Sequence, residues 1–342
     1  MNGTHAAHPY DDRRARAASR AGPLRSSVRS IRRDRGLAVN VVFFSVAVAL
    51  TVVAAFTSDA FLTQANVTNL LSQMVTNGLL SVGMLIVILT AGIDLTVGSV
   101  VALTGIMSAG LSGQLPLALA IALAVLVGVG SGIASGTLVA RFALAPFVVT
   151  LAGLTTYRGL AFVYSQIPIA PTSPSFLWLG STNLGPIPVS SVVMFVVFAL
   201  AWVFVNRTTT GRALVAIGGN PEAARLAGIN VRRHLVLAYG ISGLTAGVAG
   251  VILASRVGIA QPSVGVGYEL TAIAACVIGG ASFTGGRGSI VGTFGGVLLL
   301  GLINNLQNLY NVQSYWQQVL SGLIIVTVVL ARRAGAGEGG GR

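Results

Sequence analysis

The feature that most constrains the fold of this chain is a succession of long apolar segments separated by short polar ones. A helix needs about 20 mostly apolar residues to cross a bilayer, within a range of roughly 17–25. This length predicts membrane spans at 37–57, 70–91, 97–113, 116–140, 147–165, 189–205, 234–254, 268–284, 288–304 and 315–331. We therefore expect an all-α, polytopic membrane protein with about ten transmembrane helices, of which 97–113 is short for a full crossing.

Composition favours the same fold class, because 54% of the residues are hydrophobic and 8% are charged. Soluble domains carry about 25% charged residues. The formal net charge of +13 comes entirely from arginine, and beyond residue 36 most of the arginines lie at the ends of apolar segments. That placement indicates contact with membrane lipid and argues against a nucleic-acid partner.

The sequence also limits the chemistry that this chain can carry out. It contains no lysine, and a phosphate-binding loop of the Walker A type requires one. Three histidines, one cysteine and dispersed carboxylates form neither a catalytic triad nor a metal-ligand cluster. We therefore expect no catalytic residues, no metal site and no cofactor. If ATP drives this protein, its hydrolysis takes place on another polypeptide.

Arginine placement also predicts the topology. Residues 1–36 are polar and arginine-rich, which is typical of a disordered cytoplasmic tail. With this tail inside the cell, most later arginines fall at cytoplasmic ends, as the positive-inside rule expects. We predict a transmembrane domain over 37–331 with a cytoplasmic loop at 207–233, a flexible C-terminal tail at 332–342, and both termini in the cytoplasm. The proline-rich outer loop at 166–188 should be extended and ordered by packing, either as a surface for an external partner or as a stiff connector.

The polar segment at 207–233 carries its own helix signals. Asn220 is a good N-cap, and Pro221 fits the first helical position, where a missing N–H costs nothing. Glu222 places a negative charge at the positive end of the helix dipole, and Gly228 can end the helix in the left-handed conformation. Helices shorter than about 12 residues are marginal alone in water. We therefore expect this helix to pack against its own transmembrane bundle or against a partner protein, unless it is an ordinary amphipathic linker.

An acidic residue, Asp94, lies among apolar residues between two predicted spans. A carboxylate in such surroundings must be paired, hydrogen-bonded or open to water. The next span begins close to Thr96 and Ser99, and the free N–H groups of its first turn suit a carboxylate acceptor. Two interpretations stay open: Asp94 is a structural cap, or these three residues belong to a solute-contacting site or gate.

Three stretches of this sequence closely resemble the signatures of one family, in family order. They are GIDLTVGS at 92–99, TTGRALVAIGGNPEAARLAGI at 209–229 and GGRGSIVG at 285–292, the last followed by Asn304-Asn305 and Trp316-Gln317-Gln318. The family comprises the permease subunits of bacterial ABC importers of the ribose/xylose class, which have the type II ABC-importer fold. The resemblance covers roughly residues 60–331.

The resemblance implies an assembly in the bacterial cytoplasmic (inner) membrane. Its other parts are a second permease subunit in a homodimer or heterodimer, a cytoplasmic ATPase with tandem nucleotide-binding cassettes, and an extracytoplasmic sugar-binding protein. Sugar would pass between the two permeases by alternating access, while a short coupling helix sits in a groove of the ATPase. The coupling residues of this chain would be Gly219, Asn220, Pro221, Glu222, Ala223, Ala224, Arg225 and Gly228.

A sugar would need a path of amides and hydroxyls, because charged groups bind it too tightly or attract ions. Besides Asp94, Thr96 and Ser99, we expect Asn77, Asn304 and Asn305 on the translocation pathway or gate, with Gln73, Gln317 and Gln318 as further candidates. For each amide, a hydrogen bond between helices or a contact at the membrane interface is the alternative to sugar contact.

Other functions stay open at the level of sequence. The GIDLTVGS stretch favours a sugar over the branched-chain amino acids or nucleosides that other members of the superfamily carry. A secondary transporter driven by protons or sodium would need titratable groups inside the membrane, and Asp94 and Glu269 are the two that qualify. A purely structural membrane scaffold is the third alternative.

Overall fold

The computed structural model describes residues 45–337 of the chain. Its helices are α1 (Ser45–Thr57), α2 (Gln64–Leu89), α3 (Val97–Leu111), α4 (Leu117–Phe142), α5 (Pro146–Tyr164), α6 (Trp178–Ser181), α7 (Val189–Arg207), α8 (Thr209–Gly219), α9 (Pro221–Leu226), α10 (Val231–Val257), α11 (Tyr268–Ile278), α12 (Ile290–Leu309) and α13 (Ser314–Gly337). The predicted tail at 1–36 and the start of the span at 37–57 lie outside the described residues. Helix α13 continues to Gly337, into the range predicted as a flexible C-terminal tail, whose flexibility stays a prediction.

Six helices of the described part are long and apolar enough to cross a membrane, namely α2, α4, α5, α7, α10 and α12. Each overlaps a predicted span over most of its length. Helices α3 and α11 have 15 and 11 residues and are too short to cross a bilayer alone. Helix length and composition therefore support a multi-pass membrane protein but do not confirm the predicted count of about ten spans.

The predicted span at 268–284 is wrong in its last third. Helix α11 ends at Ile278, and an irregular loop follows until α12 begins. Gly280, Gly285 and Gly286 in this loop have φ angles of +99°, +76° and +69°, which residues with a Cβ atom rarely adopt. The sequence pattern counts this glycine-rich stretch as apolar, although its backbone leaves the helical conformation.

Local chemistry explains where several helices begin and end. Side-chain oxygens accept hydrogen bonds from first-turn N–H groups at the N-caps of α2, α8, α10 and α12, which are Thr63, Thr208, Asn230 and Ser289. These are the residue types that satisfy the free donors of a helix start. Helix α10 ends at Gly258 in the left-handed conformation, with φ +71°.

Helix α10 is the centre of the fold and packs against α2, α3 and α4. Glycines permit the closest approaches, since a Cβ atom at Gly132 would overlap the backbone carbonyl of Tyr239. Small residues let helices approach in this way in lipid, where the hydrophobic drive between helices is weak. The chain's one cysteine, Cys276, is buried in α11, and its thiol donates to the carbonyl of Ser81 at 3.3 Å.

The connection between α5 and α7, which is predicted to lie outside the cell, is compact. It contains a 3₁₀ turn at Pro174–Leu177, helix α6, and the antiparallel strands β1 (Asn183–Leu184) and β2 (Ile187–Pro188), with Asn183 opposite Pro188. The Gly180 N–H donates to the Ser255 hydroxyl of α10 at 2.8 Å, and that hydroxyl donates to the Phe176 carbonyl at 2.6 Å. The segment is ordered by packing, as predicted, but it folds into short elements rather than an extended chain.

Candidate functional site

The first part of the candidate site is the corner between α8 and α9, where Asn220 is the residue that joins the two helices. Its side-chain oxygen accepts from the backbone N–H groups of Glu222 and Ala223, both at 3.0 Å. Its own N–H donates to the carbonyl of Ala216 in α8 at 3.0 Å. Asn220 therefore closes one helix and starts the next, which confirms its predicted capping chemistry.

The end of α9 also has the predicted geometry. Gly228 is left-handed with φ +82°, and its N–H donates to the Arg225 carbonyl at 3.0 Å. The N–H of Ile229 donates to the Ala224 carbonyl at the same distance. These two bonds form a Schellman motif. The helix is thus fixed at both ends by its own backbone and side chains.

The outer face of α9 is open to its surroundings. Leu226 is 80% exposed, and the exposed side chains of Glu222 and Arg225 form an ion pair with an N–O distance of 2.5 Å. Exposed ion pairs contribute little to stability, and an exposed leucine gains nothing from burial. This face therefore contributes little to the stability of the fold, and a role in docking stays a prediction.

The second part of the site is the turn between α2 and α3, in which Asp94 is fully buried. Its Oδ1 accepts from the backbone N–H of Thr96 at 3.0 Å and from the Thr96 hydroxyl at 2.5 Å. Its Oδ2 accepts from the hydroxyl of Ser242 in α10 at 2.7 Å. These donors replace the water that a carboxylate would otherwise require. Asp94 thereby links the start of α3 to the middle of α10.

The same turn is fixed through the residue before Asp94. The carbonyl of Ile93 accepts from the hydroxyl of Thr150 in α5 at 3.2 Å and from the hydroxyl of Tyr239 in α10 at 3.4 Å. In this conformation the carboxylate is closed off from any solute, so a role in the pathway or gate stays a prediction.

The chain segments that carry the three sequence motifs meet at one point, which we call the glycine junction (Leu89, Gly218, Gly285 and Gly286). The N–H of Gly286 donates to the carbonyl of Leu89 at 2.9 Å. A Cβ atom at Gly218 would overlap that carbonyl oxygen and lie 2.5 Å from the Gly286 nitrogen. A Cβ atom at Gly285 would lie 2.7 Å from the nitrogen of Ala91. The ends of α2 and α8 and the loop before α12 therefore touch through backbone atoms.

Comparison with known protein families identifies relatives of this chain. The family described as the permease component of branched-chain amino acid transport systems matches residues 66–329, which include all three motifs. The chain belongs to this family of transport permeases. Membership agrees with a multi-pass membrane protein, and it places the permease among transport proteins rather than enzymes.

Individual relatives of the permease are named as permeases for particular sugars. The ribose import permease RbsC of Bacillus subtilis (strain 168) is 44% identical over 289 residues, which are 83% of this chain and 89% of that protein. RbsC of Escherichia coli (strain K12) is 40% identical over 279 residues, 80% and 87% of the two chains. The D-allose transport system permease AlsC of the same strain is 37% identical over 294 residues, 85% and 90% of the two chains. No solved structure gives a significant match.

The permease separates the residues that the sequence predicts along its pathway. Thr96 and Ser99 lie with Asp94 at the start of α3, where the Ser99 hydroxyl donates to the Thr96 carbonyl at 2.8 Å. Asn305 is buried in α12 and exchanges side-chain hydrogen bonds of 3.1 and 2.8 Å with Asn66 of α2. Asn66 lies in the first turn of α2 and the glycine junction lies at its end, so these two groups belong to opposite ends of the helix.

Among the remaining amides, Gln73 and Gln317 take part in hydrogen bonds between helices. Asn308 of α12 donates to Gln73 of α2 at 3.3 Å and accepts from Gln317 of α13 at 3.0 Å. These bonds fit the helix-to-helix alternative. Asn304 is half-buried on α12, and the Oδ1 of Asn77 is buried with no hydrogen-bond partner among the described residues. The predicted pathway residues therefore do not form one site, and their roles in transport stay predictions.

Two cavities within the permease are lined almost wholly by apolar side chains. One of about 120 Å³ lies between α3 and α10 and is bordered by Val101, Leu253 and Val264. A second of about 240 Å³ lies between α2, α7 and α10 and is bordered by Leu79 and Phe204. A polyhydroxylated solute needs hydrogen-bond partners when it leaves water, and these two cavities offer few.

Sequence reasoning missed three residues that complete the site: Ser242, Tyr239 and Leu89. Ser242 lies 148 residues from Asp94 along the chain. A hydroxyl inside an otherwise apolar span is the signal that could have pointed to it, because such groups often bond across helices. Leu89 takes part through its backbone carbonyl, and no side-chain pattern reports such a contact.

Proposed function

We propose that this permease carries a monosaccharide of the ribose type, as the membrane-spanning subunit of an ATP-driven ABC importer in the bacterial cytoplasmic membrane. The observation that carries the proposal is the match to ribose import permeases, at 40–44% identity over at least 80% of the chain. A D-allose permease at 37% identity and a galactose/methyl galactoside permease of Haemophilus influenzae at 32% support a sugar as the substrate class.

Branched-chain amino acids or nucleosides are the second candidate substrates. The description of the matching family favours the amino acids. The relatives named above favour sugars, and they share most of their length with this chain. We take the named relatives as the stronger argument, because a family model spans more divergent sequences than a 44% identical protein does.

The proposed topology has about ten membrane crossings with both termini in the cytoplasm. The six long helices supply most of them, and α1, α3, α11 and α13 supply the rest, some with irregular segments that complete a short helix. The positive-inside rule supports the orientation. Arg141 and Arg207 lie in the last turns of α4 and α7, at the ends that this topology assigns to the cytoplasm.

A cytoplasmic ATPase with tandem cassettes grips α9 in this proposal. The exposed Leu226 and the Glu222–Arg225 pair suit a protein groove. The capping bonds at both ends keep the helix formed although it is short. The absence of lysine from the chain supports hydrolysis on a separate subunit. The contact set is the predicted one: Gly219, Asn220, Pro221, Glu222, Ala223, Ala224, Arg225 and Gly228.

A second permease subunit covers α5, and lipid covers the outer faces of helices such as α4. Among the six long helices α5 is the least apolar and the least covered by its own chain, whereas α4 is the most apolar. A helix that faced lipid alone would be expected to be as apolar as α4. The sugar would pass between the two subunits, since the two cavities described above are apolar.

An external sugar-binding protein docks on the outer connection between α5 and α7. This segment is held rigidly by Ser255 of α10, yet Trp178 in it is 58% exposed. Exposed aromatic residues on a rigid support are common at protein interfaces. Sugar released there would enter the space between the permeases. ATP binding would then open the inner side by moving α9, which must make different contacts in the two states.

Reconstitution in liposomes tests this function. The permease is inserted with its ATPase and its binding protein, and uptake of radiolabelled ribose is measured against leucine and adenosine. We expect concentrative ribose uptake that requires ATP, the ATPase and the binding protein. Uptake of leucine or adenosine in place of ribose would support the second candidate. Uphill uptake by the permease alone would contradict an ABC mechanism.

A further inference from the structure

The glycine junction joins the coupling segment to the interior of the permease with no side chain in between. The hydrogen bond from Gly286 to Leu89 connects the loop before α12 to the end of α2. Gly218 packs against the acceptor and the donor of that bond. A Cβ atom there would overlap the Leu89 oxygen and lie 2.5 Å from the Gly286 nitrogen. Side chains in contact can absorb a displacement by changing rotamer. Backbone atoms in contact have no such freedom, so a movement that pushes Gly218 toward Leu89 is passed on to α2.

On the cytoplasmic side of the junction, Gly218 is tied closely to α9. Helix α8 ends at Gly219, and the next residue, Asn220, bonds to both α8 and α9. There is no linker between the two helices in which a movement could be lost. A displacement of α9 by a partner therefore carries Gly218 with it.

On the inner side, Leu89 is followed closely by the Asp94 turn. Ala91 is left-handed with φ +63°, and a Cβ at Gly92 would lie 2.6 Å from the Tyr239 hydroxyl. The turn is thus tightly packed, and Asp94 then bonds to α3 and α10. A displacement of Leu89 therefore reaches the two helices at the centre of the fold.

We propose that Gly218 is a positioning residue for transport, which passes the movement of α9 through the glycine junction to the Asp94 turn and so to α3 and α10. The inference rests on the proposed function, because it requires an ATPase that moves α9. It goes beyond docking of the coupling helix, since it names the contact through which that docking reaches the membrane domain. The competing explanation is that Gly218 serves close packing alone.

The test compares two glycine-to-alanine variants in the complete importer with its ATPase and binding protein. Gly218→Ala places a methyl group against the Leu89 carbonyl. Gly295→Ala is the matched control, because Gly295 also lies in a helix and a Cβ there would meet nothing within 4 Å. For each variant we would measure sugar uptake, ATP hydrolysis with and without sugar-loaded binding protein, and the amount of ATPase that co-purifies.

We expect Gly218→Ala to lower the sugar taken up per ATP hydrolysed by about tenfold, within the range usual for coupling between sites. Co-purification of the ATPase and hydrolysis without binding protein should stay near wild type, and Gly295→Ala should keep the wild-type ratio. If uptake and assembly fell together while the sugar taken up per ATP stayed constant, Gly218 would serve packing alone and the proposal would be overturned. An assembled Gly218→Ala complex with the wild-type ratio of sugar to ATP would also overturn it. A wild-type complex that imports no sugar would instead refute the proposed function.

A second measurement decides the matter if Gly218→Ala does not assemble. Hydrogen exchange of the wild-type complex is followed in the nucleotide-free state and with the ATPase trapped by vanadate. The N–H of Gly286, which bonds to Leu89, should change its exchange rate by about tenfold or more, equivalent to about 1.4 kcal/mol. An unchanged rate at Gly286 would show that the junction does not respond to the ATPase, and the proposal would fail.

Discussion

Asn220 and Asp94 both accept hydrogen bonds from backbone N–H groups near the start of a helix, but in opposite surroundings. Asn220 starts α9 at the surface and accepts two backbone N–H bonds. Asp94 leads into α3 in the interior, where it accepts two bonds from Thr96 and one from Ser242 of another helix. Water can replace the donors and acceptors of the first arrangement but not those of the second. Loss of one capping bond of α9 therefore costs little, whereas loss of a bond in the buried Asp94 turn costs more.

The difference also assigns the two regions different tasks. A short exposed helix gains its binding energy from a partner, so its own stability can stay small. A buried carboxylate with its donors in place holds three elements in one arrangement, and its loss affects the whole bundle. Substitutions at the two positions should therefore differ both in size and in what they disturb.

The largest effect is expected for Asp94→Ala. The substitution leaves the Thr96 N–H and the Ser242 hydroxyl without their acceptor in the interior, at a cost of about 3 kcal/mol. The measurement is the thermal unfolding midpoint of the purified permease in detergent. Asp94→Asn is the control, because it keeps an oxygen acceptor, and it should lose less. If Asp94→Ala unfolds like wild type, the buried turn is no more fixed than the exposed cap.

A smaller loss, about 2 kcal/mol, is expected for Ser242→Ala, because Oδ2 of Asp94 loses its donor. Ser191→Ala is the matched control: its hydroxyl is also buried, but it has no hydrogen-bond partner in the part of the chain that the structure describes. Removal of that hydroxyl should change the unfolding midpoint little. Equal losses in the two variants would mean that the bond to Asp94 contributes nothing particular.

Glu222→Arg should lower sugar uptake by about tenfold, or about 1.4 kcal/mol. The variant destroys the exposed ion pair with Arg225 and puts a positive charge at the start of α9, where the helix dipole opposes it. The unfolding midpoint should hardly move, since exposed pairs contribute little. Asp59→Arg makes the same charge change in an exposed turn after α1 and should leave uptake near wild type. Normal uptake in Glu222→Arg would argue against docking of α9.

The smallest effect is expected for Asn220→Ala, which removes the cap of α9 at a cost of about 1 kcal/mol. Hydrogen exchange at the Glu222 and Ala223 amides should become roughly fivefold faster, while the unfolding midpoint of the permease stays the same. Asn220→Asp should restore the slow exchange, because aspartate is an equally good cap. A global loss of stability in Asn220→Ala would remove the contrast with Asp94.

The sequence was most informative where local chemistry decides the structure. The start of α9 at Asn220 and its end at Gly228 follow from residue type and spacing alone, and both are confirmed. Apolar length located the six long helices for the same reason. The span at 268–284 was wrong because glycine counts as apolar in such a pattern while its backbone is free to leave the helix.

Contacts between distant residues could not be predicted in this way. The sequence indicated that Asp94 needs partners, but the choice of Ser242 depends on how α10 packs against α3. The glycine junction depends on three backbone segments that lie far apart in the chain. The glycine-rich motifs indicated that backbone segments approach each other closely, but the fold determines which segments these are.

The burial of Cys276 has a practical consequence for following α9. The chain's one native thiol is enclosed in α11, so modifying reagents in water will not reach it in the folded protein. A cysteine that replaces Leu226, which is 80% exposed, would accept a nitroxide spin label without prior removal of the native residue. In a dimer of such labelled chains, electron paramagnetic resonance would report the distance between the two coupling helices in each nucleotide state.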